Sequence, residues 1–531
     1  MEIFSSALVI ILTAFFAVLH LISATHALLN KRDPKSATIW VFICLFVPVA
    51  GPFIYMILGF NRIQRRANRI MRKSGRQDGP EKISTQVEVE SEADADDRHA
   101  KMWGIPNMPT PESRQDLGTL KVIHSPRATP LSIFPPRIRR IAGIAEALTG
   151  VPMLSGNKVE PLFNGEEAYP PMLEAINGAK RRIWLTTYIF DNDNTGKTFV
   201  KALGDAVKRG ADVRVLVDGV GTFMTRPRID KALKKQGVKV ARFLPPQIWP
   251  PQFSINLRNH RKLLLVDNCI SFTGGMNISD AHLMNKPPAR GLARFIHKFY
   301  GAHTAKDMHY KVEGPIVNTL QRIFARDWEF CAQEKLELGD EDVCREVRGN
   351  AFCRSILDGP DDFFDVLHSV LLGVVSSAKS SIHIMTPYFL PQRELITALQ
   401  SAVLRGVDVA VIIPAEADHK FVYWATYNCL WDLLGRGVKI YFQPPPFDHS
   451  KLFLVDGSYL HMGSANMDQR SFRLNFELTM EVLDLPIAAG LEKYFKKVRG
   501  NSREYTLKDL NARPLHIRIR DAIFWLMSPY L

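Results

Sequence analysis

The sequence predicts an α/β protein of two related halves in a pseudo-twofold arrangement, each a mixed β-sheet flanked by helices, behind an N-terminal two-helix membrane hairpin. Three observations carry this expectation. The stretches "NHRKLLLVDNCISFTGGMN" (259–277) and "DHSKLFLVDGSYLHMGSAN" (448–466) share five residue types at identical spacing, with one constant offset of 189 (449 − 260). Around both copies, β-branched runs alternate with helix-period runs. Ahead of them, two long apolar stretches open the chain.

The apolar stretches come first. Residues 4–29 carry no charge, although His20 and His26 interrupt them, and residues 37–59 form a second stretch. At about 1.5 Å per residue each is long enough for a hydrocarbon core of roughly 30 Å. The start Met-Glu and the second apolar segment weigh against a cleavable signal peptide. The basic residues Arg62, Arg65, Arg66, Arg69, Arg72, Lys73 and Arg76 outweigh Lys31, Arg32 and Lys35 in the intervening turn, which predicts a cytoplasmic catalytic part. Pro48, Gly51 and Pro52 leave a re-entrant second segment open. The expected division is a membrane anchor over 1–60, a basic juxtamembrane stretch and mobile linker over 61–140, and halves over 141–350 and 351–531. The linker carries the acidic run "VEVESEADADD" and a proline-rich polar stretch.

Composition bounds the function classes. Of 531 residues, 46% are hydrophobic and 23% charged, as in a globular protein. The balance of 68 basic against 54 acidic residues, a net +14, favours anionic partners: nucleic acid, acidic membranes or phosphorylated substrates. Six cysteines without a Cys-x-x-Cys pair indicate neither a zinc site nor a disulfide framework, so reduced thiols are expected.

The two halves repeat beyond the hairpins. "AKRRIWLTTYIF" (179–190) resembles "AKSSIHIMTPYF" (378–389), and "KRGADVRVLVDG" (208–219) resembles "LRGVDVAVIIPA" (404–415). In each hairpin, residues two apart on a strand share a face, so His260 projects with Lys262 and His449 with Lys451. Asn277 and Asn466 follow the return strands. Asp267 and Asp456 read as turn residues, the second in an Asp-Gly signal. If the halves meet about a twofold axis, two histidines, two lysines and two asparagines converge. Such a set suits a phosphodiester. The lysines and amides hold phosphoryl oxygens; one histidine attacks phosphorus and the other protonates the leaving oxygen, both near their unperturbed pKa of about 6.5. With lysines supplying positive charge, no metal or cofactor is called for.

H-x-K-x4-D followed by G-x2-N, present twice, resembles the phospholipase D superfamily. "WVFICLFVPVAGPFIYMILGFNR", "RNHRKLLLVD", "TGGMNISD", "EGPIV…FARDW" and "LMSPYL" extend the similarity to bacterial cardiolipin synthases. That resemblance implies a multi-pass enzyme of the bacterial inner membrane. It would transfer a phosphatidyl group between two phosphatidylglycerol molecules through a phosphohistidine, releasing glycerol. By motif position His260 would be the nucleophile and His449 the acid and then base, with Lys262, Lys451, Asp267 and Asp456 completing the catalytic motif. Asn277, Asn466 and Ser464 would bind phosphate, and Glu477 and Asp307 would orient His260 and His449 by cross-pairing. One departure stands out: the serine after the motif glycine in Gly463-Ser464 is replaced by Gly275 in the first half, where a backbone amide could serve.

Partners implied are phosphatidylglycerol and anionic membrane lipids; the oligomeric state is open. Phospholipase D hydrolysis and phosphatidylserine synthesis share the chemistry. A membrane-bound nuclease fits the charge, but nucleic acid gives no reason for an apolar anchor. A silent lipid-binding scaffold is opposed by two intact motifs. "PPARGLARFIHKFY" (287–300) reads as a surface element or a lipid-admitting segment, and "IRIRDAIFWLMSPYL" at the C-terminus as a docked helix or an interfacial contact. His383, in an apolar strand, reads as a core histidine without a ligand set.

Overall fold

A computed structural model describes residues 2–31, 34–56, 128–224, 228–245, 257–285, 304–361 and 363–528. The basic run after residue 61, the acidic and proline-rich stretches and "PPARGLARFIHKFY" lie outside the described residues. Two compact units are present, Met1–Arg69 and Ile70–Leu531.

In the first unit, the helix Glu2–Asn30 contains one window, Thr13–Asn30, long and apolar enough to cross a membrane by length and composition. The second apolar stretch is not one span. It forms a helix over Pro34–Phe46, about 20 Å long at 1.5 Å per residue, and a short one over Ala50–Ile54. Pro48 cannot continue the hydrogen-bond ladder, and Val49 takes a positive φ of 58° at the break. The expected multi-pass hairpin is thus not supported: the described residues hold one candidate spanning helix and a broken companion. The polar interruptions of the first helix find partners on the second stretch: His26 Nδ1 lies 2.8 Å from the Tyr55 hydroxyl, and His20 Nδ1 contacts the Cys44 carbonyl. Satisfying polar groups internally is what a lipid environment demands.

In the second unit, two sheets of one topology share the long strand Met153–Phe163. Its end portion pairs with Met308–Glu313, followed across the sheet by Ile270–Gly274, Leu263–Val266, Arg182–Thr187, Asp212–Asp218 and Lys239–Phe243. Its start pairs with Ala351–Asp358, followed by Asn475–Leu483, Tyr459–Gly463, Leu452–Val455, Ser381–Met385, Asp408–Pro414 and Lys439–Gln443. The order is the same, antiparallel then parallel, with helices Asn194–Lys208 and Arg393–Leu404 as the equivalent crossovers. The long strand changes partners near Gly156, whose φ is 84°. There the fully buried Asn157 donates to the carbonyls of Leu154 and Ala351 and accepts from the Ile316 amide, satisfying backbone groups that the irregularity frees. A core that includes Trp184, Leu265, Val370 and Leu454 runs through both halves.

The cysteine expectation needs correction at one pair. Cys269, in the first hairpin turn, is bonded to Cys344, with Cα atoms 5.2 Å apart; Cys44, Cys331, Cys353 and Cys429 are free. The pairing is long-range, 75 residues apart, so sequence spacing carries no signal of it. By chain entropy a loop of this length is worth up to about 4 kcal/mol. Reduction, or Cys344→Ser, should therefore lower the unfolding free energy of the purified protein by up to that amount. Denaturant titrations with and without reductant check it; coincident curves would place the pair as thiols.

Candidate active site

The site forms where the halves exchange strand ends. Arg258–Asn259 of the first half pairs in parallel with Asn475–Phe476 of the second, and Phe447–Asp448 pairs with Ala305–Lys306. The ladder continues into the motif itself: the His260 amide donates to the Phe476 carbonyl at 2.9 Å, and the His449 amide to the Lys306 carbonyl at 2.7 Å. The residues after these acceptors are Glu477 and Asp307. His260 Nδ1 lies 3.0 Å from Glu477, and His449 Nδ1 lies 2.8 Å from Asp307 Oδ2. Each histidine faces the carboxylate of the other half. With Nδ1 of His260 engaged, its Nε2 is the nitrogen left for chemistry, whereas Lys451 Nζ reaches both ring nitrogens of His449, at 2.7 Å from Nδ1 and 3.2 Å from Nε2. The histidine side chains keep 12% and 15% exposure, enough to meet a ligand, whereas Glu477 and Asp307 have none.

Lys262 and Lys451 are nearly fully buried and donate to the carbonyls of His260 and His449. Burial suppresses the protonation of both, and at Lys262 the opposing Lys451 adds to it. Burial pushes Lys262 down to about 7, even with Glu477 nearby, and lowers Lys451 as well. His449 is held well below its ordinary value by burial and by Lys451, and His260 is lowered by burial against the pull of Glu477. Burial works against the Glu477 carboxylate too, but His260 and Lys262 more than offset it and hold it at about 2. Asp307 is raised by burial. Lys451 acts on His260 and His260 on His449, so the two motifs share one electrostatic pocket.

Two groups of expected residues lie elsewhere or do something else. Asp267 and Asp456 sit in the turns at the far ends of the hairpins, with φ of 49° and 56°. Asp267 accepts from the amides of Lys180, Arg181 and Arg182, and Asp456 from those of Lys379, Ser380 and Ser381. They tie each hairpin to its neighbouring strand and do not join the pocket. Ser464 is likewise turned away from a phosphate role: its hydroxyl donates to Glu477 at 2.5 Å and accepts from the Leu478 amide. The Gly275 amide is taken by the Met308 carbonyl, as the Ser464 amide is by that of Leu478. Asn277 Oδ1 accepts from the Ile189 amide, and Asn466 Oδ1 is buried without a partner.

Residues 172–286 and 371–499 match the model of the "Cardiolipin synthase, PLD-like domain" family, and residues 11–59 match "Phospholipase_D-nuclease N-terminal". The chain is 30% identical to the major cardiolipin synthase ClsA of Bacillus subtilis (strain 168), over 98% of this chain and 99% of that protein. The chain belongs to the cardiolipin synthase family. A cardiolipin synthase 1 of Staphylococcus epidermidis is 32% identical over 94% of this chain and 93% of its own length. Among solved structures, phosphatidylserine synthase of Haemophilus influenzae Rd KW20 shares the fold, with a TM-score of 0.56 at 15% identity, covering 75% of this chain and 100% of that one.

Other residues at this cardiolipin synthase-family site were not singled out from sequence. Tyr188 and Tyr388 flank the histidines, with ring centroids 5.3 Å from His260 and 6.1 Å from His449. Their signal was present, since each tyrosine recurs in the repeat "TTYIF" and "TPYF". Arg261, between the motif His and Lys, is buried, forms an ion pair with Asp327 at 2.5 Å and donates to the Glu477 carbonyl. No repeat signals it, because Ser450 stands at its counterpart. His383 is buried as expected, but it has carboxylate neighbours, Glu492 at 2.9 Å and Asp408 at 3.5 Å. No cluster of three or more His, Cys, Asp or Glu able to hold a metal occurs among the described residues.

The departure at Gly275 has a steric cause. A Cβ there would lie 2.3 Å from Asp307 Oδ1. The longer Glu477 arches over Ser464, while the shorter Asp307 lies directly on a glycine and accepts from the Met308 amide at 2.8 Å. Gly275→Ser should therefore displace Asp307, cost about 1–3 kcal/mol by overpacking and reduce turnover. Adding Asp307→Glu should recover part of both losses. Thermal melts and turnover of the single and double variants test the coupling.

Proposed function

We infer that the protein is a membrane-anchored phosphatidyltransferase that makes cardiolipin from two molecules of phosphatidylglycerol. The observation that carries this is the crossed pair of histidine–carboxylate contacts beside two buried lysines. Family membership, with relatives named cardiolipin synthase along nearly the whole chain, supports the same substrate.

The pocket without ligand concentrates basic groups and suppresses their charge. A phosphodiester reverses this, because an anion beside the lysines and His449 favours their protonated forms. His260, neutral and held by the ionised Glu477, attacks phosphorus through Nε2. The P–N bond forms as the P–O bond to glycerol breaks, and the leaving oxygen takes the Nε2 proton of His449. His449 then accepts the proton of the second lipid's hydroxyl, whose oxygen attacks phosphorus as the P–N bond breaks. Cardiolipin and glycerol result, and both histidines regain their starting states. Lys262 and Lys451 offset charge on the phosphoryl oxygens throughout, with Asn277 and Asn466 as amide partners.

We assign residues 1–60 to the anchor, 61–140 to the linker, and 141–350 and 351–531 to the two halves. The basic run after the anchor supports a cytoplasmic catalytic part at the bacterial inner membrane, with further attraction to anionic headgroups of about 1 kcal/mol per residue near the surface.

Purified protein in mixed micelles, with phosphatidylglycerol as the only phospholipid and EDTA present, should yield cardiolipin and glycerol by mass spectrometry. His260→Ala and His449→Ala should each lose at least about three orders of magnitude in turnover. Phosphatidic acid as the sole product would make water the acceptor and the enzyme a hydrolase.

The pH profile offers a second test. Lys262 in the free enzyme loses its charge as pH rises through about 7. kcat/KM, which reports the free enzyme, should fall above that pH, while kcat holds to higher pH because bound phosphate keeps the lysine charged. Lys262→Arg should abolish the difference between the two profiles.

A further inference from the structure

The C-terminal helix Leu515–Leu526 is amphipathic the wrong way round for a docked surface helix. Its lone acid, Asp521, points inward and is only 2% exposed, bound by Arg513 at 2.5 Å and Arg520 at 2.8 Å. Those arginines lie over rings of the helix Lys420–Leu434, Arg513 at 3.6 Å from the Tyr427 centroid and Arg520 at 4.2 Å from that of Trp424. Phe524 stacks on Phe421 at 4.7 Å. The helix is thus attached by charges and rings.

Its aliphatic side faces out. Leu515, Ile519, Ile523 and Leu526 recur at helical spacing and are 69%, 52%, 56% and 69% exposed. Arg518, exposed and without an ion pair among the described residues, borders the stripe, as does His516. An outward apolar stripe beside basic side chains, with the helix's acid withdrawn, is the pattern of a helix lying in a membrane interface. A soluble partner would need no such one-signed border.

The stripe also connects to the chemistry. Tyr388, beside His449, donates to Asp418 and lies 5.6 Å from the His419 ring. His419 is the N-cap of the helix whose first turn carries Phe421, the ring on which Phe524 stacks. A chain of contacts therefore runs from the candidate acid His449 to the base of the exposed stripe.

We propose that this C-terminal helix is a second membrane contact, lying in the headgroup region of an anionic bilayer and holding the active-site rim against the lipid surface. The contact is independent of which lipid reaction is catalysed, so it is read without turnover.

The test uses the full chain reconstituted in nanodiscs, with an environment-sensitive fluorophore on Ile519→Cys, on Ile523→Cys and, as control, on the exposed Lys201→Cys of the first half. Nitroxide-labelled lipid should quench positions 519 and 523 by about twofold or more, as for a helix buried 5–10 Å into the interface, and leave position 201 unaffected. The quenching should be stronger in discs containing phosphatidylglycerol than in phosphatidylcholine alone. Retained secondary structure and thermal transition would show that each labelled chain is folded. Quenching at 519 and 523 no greater than at 201 would overturn the proposal. So would energy transfer between labelled chains in place of quenching, which would assign the stripe to a second copy.

Discussion

Every part of this site depends on the reciprocal exchange of strand ends between the halves. His260 is hydrogen-bonded through its backbone to Phe476 and through its ring to Glu477, both contributed by the second half. His449 is held by Lys306 and Asp307 of the first. Neither half alone contains an oriented histidine. A duplicated strand–hairpin unit orients its histidines only as a pair, because a ring needs a partner at Nδ1 to set the tautomer at Nε2.

The same pairing creates an electrostatic difficulty that the fold resolves in two ways. Bringing two lysines and two histidines into a buried pocket depresses their protonation, Lys262 to about 7. Glu477, braced by Ser464 and Asn475, is kept ionised despite complete burial and offsets part of the positive charge. The halves are not equivalent in this respect: against burial, His260 and Lys262 hold Glu477 low, whereas burial raises Asp307. A twofold backbone therefore carries two histidines in different surroundings, in keeping with the proposed division between attack and proton transfer.

Outside the pocket, charge is spent on attachment in unexpected places. Arg261 and Asp327 form a buried pair that supports the Glu477 backbone, and Arg513 and Arg520 hold an inward aspartate so that a C-terminal helix can present its aliphatic side outward. Pairs of this kind contribute little net stability, since desolvation opposes the attraction. Their effect is positional: removing one partner leaves an uncompensated buried charge, so the arrangement is hard to vary.

The sequence by itself determined the duplication, the α/β alternation, the His-x-Lys pairs and the apolar N-terminus, since all are local patterns with fixed spacing. The carboxylates could be named only through resemblance, because Glu477 lies 217 residues from His260 and only strand pairing brings them together. The sequence already placed Asp267 and Asp456 in turns; tertiary structure alone decided which amides they anchor, that Ser464 serves Glu477, and that Cys269 meets Cys344. It also decided that the second apolar stretch breaks at Pro48–Val49 and that the C-terminal helix turns its acid inward. In each case the deciding quantity is a distance or an orientation between segments remote in the chain, which residue type and local periodicity do not encode.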